Sequence, residues 1–229
     1  MRVDLSNYNN GWYKTGRGVF TRFLWYFVNA LFLNNPLNFS SIIKIVLMRM
    51  FGAKIGRGVR INPSINVKYP WNIHIGDHTW IGENVWLDSL VTIKIGKNCC
   101  ISQGSYLCTG NHDWRDPLFG LIVKPIIVED GVWVGAKATV LPGVKLSDHS
   151  VLCAGAVASK DAEPFQIYAG NPAEKIKRRK IKPNPLHITR DHSFENLLHH
   201  RIFQSGLRRR HALHAPEPDQ TTEAGSSGL

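Results

Sequence analysis

Four cysteines in 229 residues leave little for covalent or metal stapling. Cys99, Cys100, Cys108 and Cys153 form no C-x-x-C pair and stand at no zinc-site spacing from histidine. That argues against a disulfide framework and a structural zinc, and for thiols used as small apolar residues in a reduced, cytoplasmic chain. Long hydrophobic runs are missing too. The most apolar stretch, 23–33, contains Asn29 and falls short of the ~20 residues a spanning helix needs. Residues 1–14 are polar and lack the apolar centre of a signal peptide. Acidic residues are scarce: 17 against 28 basic ones, for a net charge of +11. The excess is either solvated surface or a match for an anionic partner, such as a phosphorylated cofactor, a nucleotide sugar or an acidic membrane. Nucleic acid, a further anionic candidate, is the weakest, because no recognition motif and no interleaving of basic and aromatic residues is present.

What the chain does have is a repeat, and an internal repeat outranks other signals of fold. From Ile55, hexads begin on an aliphatic residue and carry a small or polar second one: Ile55-Gly56, Ile61-Asn62, Val67-Lys68. Two extra residues precede Ile75-Gly76, Ile81-Gly82 and Leu87-Asp88, and two more precede Ile95-Gly96, Ile101-Ser102 and Leu107-Cys108. After a break the pattern resumes at Val128, Val134, Val140, Leu146, Leu152 and Ala158, now strictly every six residues. This period suits a triangular all-β solenoid in which each hexad makes one short strand and one corner, three hexads close a coil, and coils stack at the ~4.8 Å inter-strand spacing. Five coils are predicted: 55–74, 75–94, 95–112, 128–145 and 146–163. The fifth residue of a hexad tends to be small or β-branched (Val59, Thr79, Val85, Cys99, Ser105, Ala138, Ser150, Ala156) and is predicted to point inward near the corner.

The flanks lack the register. Residues 20–33 and 41–51 read as two helices separated at Pro36, with Ile42, Ile45, Val46 and Met50 on one face of the second and Lys44 and Arg49 elsewhere. The segment 1–54 is either a cap over the open end of the solenoid or an interfacial anchor, the latter suggested by Trp25, Tyr26 and Arg22 beside an apolar face. Residues 164–182 form a basic segment, and 183–229 a tail with a short helix at 193–203 and disorder at 215–229. The six tail histidines are too scattered for a metal site.

The hexads, Thr109-Gly110-Asn111-His112-Asp113, Gly131-Val132-Trp133-Val134-Gly135-Ala136 and Ala169-Gly170-Asn171-Pro172-Ala173 together resemble the hexapeptide-repeat acyltransferases over roughly 15–180. The likeness is strongest to the exopolysaccharide (colanic-acid-type) O-acetyltransferases, then to the maltose and galactoside enzymes. The resemblance implies a left-handed parallel β-helix, a homotrimer with sites between subunits, and acetyl-CoA as donor to a sugar or lipid-linked saccharide. It also places the family's catalytic histidine on His112 and its CoA contacts on Ala136, Ala154, Ser159, Lys160 and Lys177. One family arginine becomes Glu174, so phosphate contacts are predicted to shift to Lys175, Arg178 or Arg179. The acceptor asparagine of the maltose and galactoside enzymes aligns with Gly82, leaving Asn84 and Asp88 as the acceptor residues to consider.

His112 stands where the third coil breaks into the long interruption 113–127, beside a loop on a rigid scaffold. Imidazole there suits abstraction of an alcohol proton. Asp113 or Asp116 is available to orient the ring, Thr92 falls beneath it by register, and Trp114 and Phe119 either cover the acceptor or pack on another subunit. Cys108 as a covalent nucleophile lacks a nearby charge to lower its pKa. Two different chemistries share such a solenoid: a γ-type zinc carbonic anhydrase, which needs converging histidines where His74, His78 and His149 read as exposed corner residues, and a non-catalytic scaffold.

Overall fold

A computed structural model describes residues 2–183, and its main body ends at Lys180. From Lys54 onward the chain winds into a triangular parallel β-solenoid of about six turns. Three sheets form its faces. The first stacks Lys54–Ile55, Ile73–Ile75, Ile93–Ile95, Ile126–Val128 and Lys145–Leu146. The second stacks Arg60–Ile61, Trp80–Ile81, Cys100–Ile101, Trp133–Val134 and Val151–Leu152 and continues into Gln166–Ala169. The third stacks Asn66–Val67, Trp86–Asp88, Tyr106–Cys108, Thr139–Val140 and Val157–Ala158. Strands this short cannot stand alone. They persist because every aliphatic hexad leader is buried on its equivalent above and below, as along Ile61, Ile81, Ile101, Val134 and Leu152.

The corners follow one rule. The fourth residue of a hexad takes a left-handed backbone, which glycine adopts freely and asparagine tolerates: Gly58, Asn84, Asn98, Gly104, Gly131 and Gly155 do so. The fifth residue turns inward, and all eight named from the sequence are buried. The polar ones mostly find partners. Thr79 Oγ1 donates to the Gly96 carbonyl at 2.8 Å and accepts from the Cys99 amide at 3.1 Å, and Ser105 Oγ donates to the carbonyls of Ser102 and Gly135. Burial pushes the Cys99 thiol up to about 11, in keeping with an inert packing role.

The lower end of the solenoid would expose a row of unpaired strand-edge groups. Helix α1 (Val19–Val28), the π-helical turn Asn29–Leu33 and helix α2 (Ser41–Met50) cover it, placing Trp25, Leu33 and Met48 in the core. Their side chains pair with the first coil on each face. Arg49 donates to the carbonyls of Ile55 and Gly56. Ser41 Oγ donates to the Ile61 carbonyl and accepts from its amide. Trp25 Nε1 donates to the Val67 carbonyl, while Asn29 Oδ1 accepts from the Val67 amide. The buried face of α2 departs from the apolar pattern, although Ile45 does pack against the core. Ile42, Val46 and Met50 are exposed, whereas Lys44 is fully buried, its ammonium donating to the carbonyls of Asn38, Ser40 and Ile61. The reason is electrostatic: a cation completes open carbonyls that a methyl group would leave unpaired. Burial pushes the Lys44 ammonium below its ordinary value.

The solenoid also runs past its predicted end at 163. Ala162 bridges to Leu146, Gln166–Ala169 adds a strand, and Glu174–Arg178 folds back antiparallel on it. Two of the three histidines read as exposed corner residues are not. His74 lies half-buried within a strand, between Lys54 and Lys94 in register, and both desolvation and these cations lower its pKa. His149 does sit at a corner but is half-buried against Phe165, while His78 is an exposed corner residue. The expectations for residues 184–229 lie outside the described residues. Lys44→Ala should cost about 2 kcal/mol in urea unfolding through its orphaned carbonyls, whereas Val46→Ala should cost under about 0.5 kcal/mol; equal costs would contradict the capping role of Lys44.

Candidate active site

At the end of strand Tyr106–Cys108 the chain leaves the coil instead of turning into the next one. Buried Thr109 holds the departure point: its amide and hydroxyl donate to the Asp88 carbonyl at 3.2 and 2.7 Å, and its own carbonyl accepts from Lys124 on the return path. Between them a hairpin pairs Gly110–His112 antiparallel with Leu121–Val123, setting His112 opposite Leu121. The chain rejoins the solenoid where the Ile126 amide donates to the Thr92 carbonyl. Thr92 therefore meets Ile126 and not His112. The 20-residue register ends at the Asp88–Cys108 pair and does not extend to Thr92 and His112.

The His112 ring is held from three directions. Its Nδ1 lies 2.8 Å from the Phe119 carbonyl oxygen, the Phe119 ring stacks on it at 4.6 Å and 11°, and Tyr8 approaches at 5.7 Å. A carbonyl can only accept, so Nδ1 carries the hydrogen, and in the neutral ring Nε2 is then the nitrogen with the lone pair. Phe119 reaches this position through a left-handed backbone, φ +54°, costly for an aromatic residue and fixed by the bond from its amide to the Asp116 carbonyl. Asp116 organises the loop, its carboxylate accepting from the amides of Leu118 and Gly120. The Asp113 carboxylate faces Arg115, taking bonds from its amide and guanidinium that hold the carboxyl below its usual range. The ring is thus oriented by a backbone carbonyl, and neither nearby carboxylate bonds to it.

Asp88 lies at the root of the hairpin. It accepts the Tyr106 hydroxyl at 3.1 Å, with Cys108 Sγ at 3.9 Å; burial, then the Cys108 and Asp88 contacts, push Tyr106 up. Cys108 Sγ donates to the Gly110 carbonyl. Asn84 occupies an exposed corner of the same coil, and Trp114 stands exposed on the loop. Phe119, expected over an acceptor, spends its ring on His112. Sequence reasoning missed the N-terminal strap. The Asp4 amide donates to the Pro117 carbonyl, Tyr8 reaches His112, and the Tyr13 hydroxyl donates to the Leu90 carbonyl, burial raising it to about 12. Nothing in the hexad pattern marks that segment.

A second feature lies on the second face, where a cavity of about 310 Å³ is lined by Ser102, Gln103, Trp133, Ala136, Cys153 and Ala154 among others. The structure brings Ala136 and Ala154 together, and the Gly155 amide donates to the Ala136 carbonyl. Gly135 permits this closeness, since a Cβ there would come within 2.5 Å of the Ala154 nitrogen. Ser159, Lys160 and Lys177 are exposed and do not line it. Lys175 is paired with Glu163, Arg179 is held on the carbonyls of Gly131 and His149, and Arg178 lies over Phe165. Ser102 and Gln103 were legible in principle, because continuing the Cys100–Trp133 register places them beside Gly135 and Ala136.

The family described as the hexapeptide repeat of succinyl-transferase matches residues 72–108 and 125–159. The chain is 41% identical over 133 residues to the putative colanic acid biosynthesis acetyltransferase WcaF of Escherichia coli, covering 58% of this chain and 73% of that protein. A hexapeptide-repeat-containing acetyltransferase from Vibrio cholerae, solved with acetyl coenzyme A, superposes with a TM-score of 0.59 at 28% identity over 64% of this chain and 81% of that one. A galactoside acetyltransferase in complex with coenzyme A gives 0.64 at 26% identity, over 70% and 81%.

Nitrogen NMR of the imidazole should report the Nδ1–H tautomer of neutral His112, unchanged in Asp113→Asn. A dominant Nε2–H form, or a switch on that substitution, would contradict orientation by Phe119.

Proposed function

Given that this chain belongs to the hexapeptide-repeat acetyltransferases and is an acyl-CoA-dependent O-acetyltransferase, we propose that it moves the acetyl group of acetyl-CoA to a saccharide hydroxyl, with His112 as general base. The observation that carries the reading is the tethered imidazole, whose free Nε2 is ready to accept a proton. The hydroxyl oxygen attacks the thioester carbonyl as Nε2 takes its proton. The tetrahedral adduct then collapses, the C–S bond breaks, and the imidazolium returns the proton to the departing CoA sulfur. Asp113 shapes the loop through Arg115, and the direct route leaves Cys108 no covalent part.

The pantetheine arm runs along the narrow cavity beside Ala136 and Ala154, with Ser159, Lys160 and Lys177 nearer the nucleotide end. The saccharide is part of an exopolysaccharide or its lipid-linked precursor, met by Asp88, Asn84 and Trp114. Gly82 supports an acceptor site unlike that of the maltose and galactoside enzymes, because a Cβ there would meet the Gln103 nitrogen at 2.5 Å and an asparagine would force the coils apart. The working form is a cytoplasmic homotrimer with sites between subunits.

His112→Ala should lower kcat/KM by on the order of 10²–10⁴ with CoA affinity unchanged, and near-normal turnover would remove the base assignment. Ala154→Trp should abolish CoA binding by calorimetry while the thermal melt is kept; unchanged binding would place the arm elsewhere. Turnover against free sugars, nucleotide sugars and lipid-linked oligosaccharides should favour the last, and preference for a free hexose would overturn the acceptor assignment alone.

A further inference from the structure

The helical cap carries far more apolar surface than its capping task uses. Trp25, Leu33 and Met48 face the core, but Phe20, Phe39 and Ile42 are each about three-quarters exposed, and Phe23, Tyr26 and Leu31 are exposed beside them. Isolated surface apolar residues need no explanation, whereas this many within one 32-residue stretch, 19–50, marks an interaction surface. Charge says what covers it. From Leu5 to Gly76, which spans the cap and the first coil beside it, the chain has nine basic residues and no acidic one, and eight of the nine, all but the buried Lys44, stand at or near the surface. A second copy of the same cap would bring like charges together with no carboxylate in the segment to pair them.

Against this surface, where α1 meets the first two coils, lies a cavity of about 320 Å³ walled by Tyr26, Tyr69 and Trp86 and carrying Arg22 and Lys68. Arg22 Nε is buried there with no hydrogen-bond partner among the described residues, a donor whose need an anionic oxygen would meet. Trp86 packs at a tilt against Tyr106, whose hydroxyl reaches Asp88 at the root of the His112 hairpin.

We propose that the helical cap docks on an anionic lipid bilayer, its aromatic and aliphatic residues entering the interface while Arg22 and Lys68 take a lipid phosphate. This deepens the acetyl-transfer reading by holding the enzyme where a lipid-linked saccharide is presented. An apolar face with aromatic residues and a flanking cationic surface is what interfacial binding requires.

The test is flotation of the full chain with vesicles of phosphatidylcholine alone or with about one third phosphatidylglycerol. Flotation with the anionic vesicles is expected, with binding to neutral ones roughly tenfold or more weaker. Phe20→Ser/Phe39→Ser should abolish flotation while keeping the melt and turnover on a soluble saccharide, and Arg22→Gln/Lys68→Gln should cut the anionic preference roughly tenfold. Millimolar inorganic phosphate should leave flotation intact; displacement by it would mark a site for free phosphate. Equal binding to neutral vesicles, no binding to either, or a change confined to oligomeric state in Phe20→Ser/Phe39→Ser overturns the proposal. Because turnover is read separately, docking fails without taking the acetyltransferase reading with it, and the reverse also holds.

Discussion

Each coil of this solenoid can satisfy its backbone only against the coil above and the coil below, and that ladder governs the rest of the structure. Strands of two or three residues gain nothing singly, so the repeat must be kept in register, with aliphatic leaders stacked and a left-handed residue at each corner. The end of the ladder must be closed. The buried Lys44, together with Arg49, Ser41, Asn29 and Trp25, completes the first coil's edge groups, at the cost of holding an ammonium away from water. An insertion must leave and return without breaking the stack, which Thr109 achieves by bonding to Asp88 on one side and Lys124 on the other.

That same rigidity fixes the position of His112, the proposed base. A hairpin fixed at its root carries the imidazole, and its own returning turn supplies the Phe119 carbonyl that selects the tautomer and the ring that limits rotation. The strained Phe119 backbone is held by Asp116, so the acidic residues near His112 act by shaping the loop. On the neighbouring face, tight coil spacing demands glycine at 135, and the small side chains of Ala136 and Ala154 help to leave the cavity in which the pantetheine arm is proposed to lie.

Much of this was legible because the hexad period encodes it directly: the three faces, the inward fifth residues and the pairing of Ala136 with Ala154 all follow from counting in sixes and eighteens. What escaped counting depended on unsatisfied polar groups. The burial of Lys44 instead of Ile42 and Val46 reflects carbonyls that no hydropathy pattern displays. The tethering of His112 by Phe119, and not by a nearby carboxylate, arises inside a loop with no periodicity to read. Tyr8 reaches the same ring from more than a hundred residues away in sequence, a contact that only the folded chain creates.

The central claim is that the tethered imidazole removes the acceptor proton during direct acetyl transfer. Its most direct test is the pH dependence of kcat/KM for the saccharide in the native enzyme and in His112→Asn. The native enzyme should lose activity toward acid through a single-proton limb, and that limb should vanish from the residual activity of the variant. A limb that survives unchanged in His112→Asn would contradict the account and assign the proton to another group.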